Sequence, residues 1–228
     1  MVTLANIVKT FNVRNGTLPV LRDVSLEIAG GEFVAVQGPS GSGKTTLLLT
    51  AGALQRPDSG EVIIGGEAPY EMSADERAAF RARAIGFVFQ QFHLLPYLNV
   101  IDNILTPTLV ARSPEMEQRA GELLERFGLA ERREHVPAAL SIGERQRAAL
   151  ARAMVHQPTL LLADEPTGNL DRVNAEIVLD SLKGYAAEGH CVLMVTHNEA
   201  HAGRADRELH LRSGALSAAG PAATSRVR

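Results

Sequence analysis

The sequence predicts an α/β domain, a mixed sheet with crossover helices and an inserted helical lobe. Three observations carry that prediction. Apolar runs bounded by turn residues recur at 24–28, 33–36, 61–64, 85–89, 159–163 and 191–195, with helical patterns between some of them. A glycine-rich stretch, Gly38-Pro39-Ser40-Gly41-Ser42-Gly43-Lys44-Thr45, follows the run Phe33-Val34-Ala35-Val36, which is the order strand, loop, helix. Two further helix starts are marked by capping residues: Ser73-Ala74-Asp75-Glu76 has the spacing of a capping box, and Ser113-Pro114-Glu115 sets a cap, a first-turn proline and an acid in succession.

After Ser113, the residues Met116, Ala120, Leu123, Leu124 and Phe127 fall on one helical face, while Glu117, Arg119, Glu122 and Glu125 fall elsewhere. That is the pattern of a surface helix packing one stripe. Beyond Gly214 the composition turns to Ala, Ser, Gly and Pro and ends in Thr224-Ser225-Arg226-Val227-Arg228, too little apolar surface to order itself. The expected division is a domain over 1–212, with the helical lobe at about 91–157, and a flexible tail over 213–228. No internal repeat and no second loop like 38–45 is visible.

A chain of 228 residues, 45% hydrophobic and 21% charged, can bury a core of its own. Its net charge of −3 provides no global positive field, so no nucleic-acid partner is expected. The single cysteine, Cys191, lies in the apolar run Cys191-Val192-Leu193-Met194-Val195 and reads as a buried thiol in a reducing, cytosolic setting. No uncharged apolar stretch approaches the roughly 18 residues of a membrane span. If a membrane is involved, another polypeptide crosses it.

The loop at 38–45 has the chemistry of a phosphate cradle. Its glycines let successive backbone N–H groups point inward at phosphate oxygens, and the following helix adds the positive end of its dipole. Lys44 is placed for the β and γ phosphates and Thr45 for Mg²⁺, so a nucleoside triphosphate is the expected ligand of Gly38, Pro39, Ser40, Gly41, Ser42, Gly43, Lys44, Thr45 and Thr46. The run Thr159-Leu160-Leu161-Leu162-Ala163-Asp164-Glu165 is an apolar strand ending in two carboxylates, at the sheet edge where ligands of open α/β folds bind. Asp164 is expected to hold Mg²⁺ through water. Glu165 is expected to take a proton from an attacking water, a role worth about 10² to 10⁴ in rate.

At this point the chain resembles the nucleotide-binding subunit of ATP-binding cassette (ABC) transporters, over about residues 2–212. Leu140-Ser141-Ile142-Gly143-Glu144-Arg145-Gln146 is similar to the cassette signature, and Gly168-Asn169-Leu170-Asp171 to the loop after the catalytic acid. The resemblance implies a P-loop NTPase core with an antiparallel β subdomain beside the helical one. It further implies that Gln90 lines the metal, that His197 contacts the γ-phosphate and that Phe11 lies on adenine. Ser141 and Gly143 would reach the triphosphate of an opposing subunit, since a capped helix N-terminus is an anion site. The implied cofactors are ATP and Mg²⁺. The implied partners are a second ATPase subunit, as a homodimer, and integral membrane permease subunits, with the chain peripheral on the cytoplasmic face of the inner or plasma membrane.

The uncharged stretch Gln91-Phe92-His93-Leu94-Leu95-Pro96-Tyr97-Leu98-Asn99-Val100 then offers Phe92 and Tyr97 to the permease. Within the family, Phe89-Gln90-Gln91-Phe92 and Ala163-Asp164-Glu165-Pro166-Thr167-Gly168-Asn169-Leu170-Asp171 look most like the lipoprotein-releasing and macrolide-export branch.

One residue departs from the family pattern: Ile142 stands where the signature usually has glycine. A positive φ there would make isoleucine an outlier and the site strained. That reading gives an ATP-dependent docking subunit of weak catalysis as the alternative. A negative φ only requires room for the side chain.

Overall fold

The computed structural model describes residues 1–14, 16–108 and 114–218. In chain order the strands are β1 (Val2–Val13), β2 (Gly16–Ile28), β3 (Phe33–Gln37), β4 (Ser59–Ile64), β5 (Ile85–Val88), β6 (Leu160–Asp164), β7 (Cys191–Thr196), β8 (Arg207–Arg212) and β9 (Ala215–Ala218). The helices are α1 (Lys44–Ala51), α2 (Ala74–Ala84), α3 (Val100–Leu105), α4 (Pro114–Arg126), α5 (Ile142–Met154), α6 (Arg172–Ala187) and α7 (Glu199–Ala202).

Two sheets result. One is antiparallel, in the order β2-β1-β4; the other runs β5-β6-β7-β3-β8-β9 and is parallel apart from β9. The central strands are apolar on both faces, as parallel strands covered twice must be. Phe33, Ala35, Leu161, Ala163, Val192 and Met194 point into one core with α3, α4, α5 and α6. Their alternates Val34, Val36, Leu160, Leu162, Leu193 and Val195 point into a second core beneath the antiparallel sheet and α2. The side-chain period of two along a strand divides the residues this way.

The capping box at Ser73 is formed, with Glu76 N–H donating to Ser73 Oγ and Ser73 N–H to Glu76 Oε2. In α4, Ala120, Leu123 and Leu124 are buried as their spacing predicts; the expected cap Ser113 lies outside the described residues. The tail expected from residue 213 does not begin there. Ser213 and Gly214 turn the chain at φ 48° and 80°, and Ala215–Ala218 pair with β8, Leu216 opposite Leu211. Backbone hydrogen bonds to an existing edge need little side-chain hydrophobicity, so the Ala/Ser composition concealed a strand. Residues 219–228 lie outside the described residues.

Candidate active site

The parallel order places the carboxyl ends of β5, β6, β7 and β3 along one edge, where an open α/β sheet holds its ligand. Register brings the ends level: Asp164 pairs with Val195, and Thr196 with Gln37. At that edge lies a cavity of about 680 Å³ lined by Val20, Ser40, Gly41, Gly43, Lys44, Thr45, Thr46, Gln90, Asp164, Glu165 and His197. Ten of these eleven are residues that the sequence singles out. The exception, Val20, belongs to the part of β2 that carries no apolar run.

The loop after β3 is shaped by contacts that only glycine allows. A Cβ on Gly38 would stand 2.3 Å from the Leu211 carbonyl oxygen and 2.6 Å from Ser42 Oγ. Gly43 has φ 105°, and a Cβ there would meet the Val20 carbonyl oxygen at 2.8 Å. Lys44 Nζ donates to the carbonyls of Gly38 at 2.7 Å and Pro39 at 3.1 Å, which ties the start of α1 back across the loop. Gly38, Pro39 and Ser42 therefore form the frame behind the cavity wall, and Ser42 is buried.

Across from the loop, Thr45 Oγ1 donates to Asp164 Oδ2 at 3.2 Å. Burial pushes the Asp164 carboxyl above the ordinary carboxylate range; the Thr45 hydroxyl and Lys44 pull it down, and the Glu165 charge pushes it further up. Glu165 is held more tightly. Its φ is 45°, a left-handed backbone immediately before Pro166, where a following proline favours extended conformations. Such a conformation costs a non-glycine residue roughly 1–2 kcal/mol. Two backbone bonds oppose that cost, Glu165 N–H to the Val195 carbonyl at 2.9 Å and Gly168 N–H to the Glu165 carbonyl at 3.1 Å. The carboxylate takes two more, from Thr196 Oγ1 at 2.9 Å and with His197 Nδ1 at 2.8 Å. Strain sustained by surrounding bonds is a mark of functional positions.

Gln90, and not its neighbour Gln91, lines the cavity. Phe11 stands outside the lining: it lies on β1 opposite Leu18, with the Lys9 ammonium 5.7 Å from its ring centre. Ser141 and Gly143 also stand outside it. Ser141 caps α5, accepting from Glu144 N–H, while Glu144 Oε2 accepts from Ser141 N–H and Oε1 from Arg132. Those bonds, the Ser141 backbone first, hold the Glu144 carboxyl down at about 2. A depressed carboxyl stabilises the fold above its unfolded value of 4.5 and loses that contribution as pH falls toward about 2. The stability difference between wild type and Glu144→Gln, on the order of 2 kcal/mol at pH 7 by chemical denaturation, should therefore shrink as the pH falls below about 4.5.

Ile142 is the first residue of α5 and does not have a positive φ; its side chain is 49% exposed. The glycine that local packing restricts is Gly143, whose Cβ would meet Asn174 Oδ1 at 2.2 Å. Asn174 is itself fixed by Asp171 and by Arg147. Hence Ile142→Gly should change ATP turnover by less than about tenfold, or 1.4 kcal/mol; a larger rise would indicate strain at the native residue.

Fold and site together define a nucleoside triphosphatase built on a phosphate-binding loop. Comparison with known proteins narrows the class. A family profile described as ABC transporter matches residues 21–168. The chain is 49% identical over 217 residues to the Lipoprotein-releasing system ATP-binding protein LolD of Maricaulis maris, covering 94% of this chain and 95% of that one. It is 42% identical to the Macrolide export ATP-binding/permease protein MacB of Syntrophobacter fumaroxidans, over 95% of this chain but 31% of the relative. A solved dimeric post-hydrolysis state of the ATP-binding cassette MJ0796, bound to ADP and Pi, superposes with a TM-score of 0.87 at 37% identity, over 97% of this chain and all of that one. The chain belongs to the ABC transporter family, as its ATPase subunit.

Proposed function

We propose that two copies of this chain close head to tail over ATP and drive a separate membrane permease of the lipoprotein-extraction or export type from the cytoplasmic side. The observation that carries this reading is the separation of two elements suited to an anion: Ser141, exposed at the N-terminus of α5, and the buried Gly143 beside it lie outside the cavity lined by Lys44, Glu165 and His197. The similar solved cassette is dimeric. A second copy presenting its own Ser141 to the triphosphate completes the site.

Within one site, Lys44 and the N–H groups of residues 40–46 hold the phosphates, and Phe11 offers a ring to adenine. Thr45, Asp164 and Gln90 supply the hard oxygen donors that Mg²⁺ takes, and the 3.2 Å approach of Thr45 Oγ1 to Asp164 Oδ2 fits that donor set. Held there, Mg²⁺ would supply positive charge against that developing on the phosphates. Glu165 accepts the proton of the attacking water, and His197 leaves Glu165 to contact the γ-phosphate. Tyr97, 94% exposed, and Phe92 offer an apolar surface to the permease; among the described residues no helix is long and apolar enough to cross a membrane. The non-positive φ at Ile142 supports full catalysis over a docking-only role.

Complementation tests the shared site. Lys44→Ala and Ser141→Arg chains should each be inactive alone, and mixing them should restore hydrolysis, because the mixed dimer contains one intact composite site. A mixture as inactive as its parts would mean that each site is built within one chain.

A further inference from the structure

Thr196 ends β7 and is fully buried. The strand before it, Cys191-Val192-Leu193-Met194-Val195, is apolar and buried throughout, so valine, which has the same shape, would suit the position. Threonine adds only a hydroxyl, and a buried hydroxyl is costly unless paired. This one is paired twice, in opposite senses. Asn198 N–H donates to Thr196 Oγ1 at 3.1 Å, and Thr196 Oγ1 donates to Glu165 Oε2 at 2.9 Å. A hydroxyl carries one hydrogen; with Asn198 N–H occupying the acceptor side, that hydrogen is aimed at the carboxylate.

The first bond lies within the turn after β7, and the second reaches Glu165, 31 residues away in sequence. The other carboxylate oxygen, Oε1, is bonded to His197 Nδ1, whose side chain is 67% exposed. Glu165 thus has one buried, rigid holder and one surface holder that is free to leave.

We propose that Thr196 is a positioning residue for hydrolysis: its hydroxyl anchors Glu165 Oε2 and leaves Oε1 as the oxygen that faces the attacking water. The proposal rests on Glu165 acting as the base. In the step, water gives a proton to Glu165 Oε1, and its oxygen bonds to the γ-phosphorus. The bond from that phosphorus to the β-γ bridging oxygen breaks, and the electron pair leaves with ADP. Thr196 keeps its proton throughout and acts only by fixing the direction of the carboxylate.

The test compares Thr196→Val, Thr196→Ser, Glu165→Gln and the Thr196→Val/Glu165→Gln pair in the full chain, measuring steady-state kcat and, separately, equilibrium ATP binding. Thr196→Val should lower kcat about tenfold or more, the loss of one hydrogen bond to a charged group, with ATP affinity within about twofold. Thr196→Ser, which keeps the hydroxyl, should return kcat to within about threefold of wild type. In the Glu165→Gln background Thr196→Val should cause no further fall, since a residue acting through another has nothing left to act on. Should the valine chain fold poorly, Thr196→Ala is read in its place, with the same expectations.

Unchanged kcat in Thr196→Val, failure of serine to restore it, or an equal fall in both backgrounds overturns the role of Thr196 while leaving Glu165 as the base. Hydrolysis at the wild-type rate in Glu165→Gln overturns the base itself, and the proposal with it.

Discussion

Glu165→Gln is expected to bind ATP and to hydrolyse it about 10² to 10⁴ times more slowly than wild type. Glutamine matches the native side chain in size, and its carbonyl oxygen can still accept from Thr196 Oγ1, which reaches Glu165 at 2.9 Å. It cannot take a proton from water. The loop, Thr45 and Asp164 are untouched, so nucleotide affinity should persist. With ATP held and not cleaved, the closed form should accumulate: moving a two-state equilibrium from mostly open to mostly closed needs about 5.5 kcal/mol of differential affinity, within reach of several charge-assisted hydrogen bonds. Gel filtration with ATP and Mg²⁺ should show a dimer. A variant that elutes as a monomer under those conditions contradicts the clamp.

Gly38→Ala should weaken nucleotide binding and reduce folding stability together. Its Cβ would lie 2.3 Å from the Leu211 carbonyl oxygen and 2.6 Å from Ser42 Oγ, and the first of these is backbone of β8 in the central sheet. The Leu211 carbonyl cannot yield without moving the strand. Overpacking of this kind costs typically 1–3 kcal/mol, and displacement of the Gly38 carbonyl removes an acceptor of Lys44. A loss of about 2 kcal/mol in denaturant unfolding is expected, along with a fall in ATP affinity of at least about tenfold. Gly41→Ala is the contrast. Nothing lies within 4 Å of its Cβ, and only φ 78° penalises the change, so its stability loss should be the smaller.

The parts of the site carried by contiguous residues were legible in the sequence. The loop at 38–45 and the strand ending in Asp164-Glu165 fix both composition and local geometry, and they meet in the cavity because parallel strands bring their carboxyl ends to one edge. The strand runs at 33–36, 85–89, 159–163 and 191–195 match β3, β5, β6 and β7 to within a residue at each end. What escaped depends on pairing across distance. β1, β8 and β9 carry mixed or small side chains, and their hydrogen bonds come from neighbours already in place. Val20 gives no signal of its own and reaches the cavity only because β2 passes over Gly43. The choice of Gln90 over Gln91, by contrast, came from its place directly after the apolar run Phe87-Val88-Phe89, and Gln90 lines the cavity. The hydroxyl of Thr196 looked like one more strand residue until its two bonds were visible. The left-handed backbone of Glu165 was invisible for the opposite reason, since the following proline argues for an extended residue.

The way Lys44 is bonded changes how its variants are to be interpreted. An ammonium has three hydrogens, and two of them are committed to the Gly38 and Pro39 carbonyls, which leaves a single one for phosphate. Methionine at 44 therefore deletes a structural staple along with a charge, and an inactive methionine variant does not by itself measure the electrostatic share of ATP binding. Arginine keeps the charge, but its flat, rigid fork does not reproduce a compact group that bridges two carbonyls on one side and faces an anion on the other. The positive charge at this position is thus inseparable from the curvature of the chain around it.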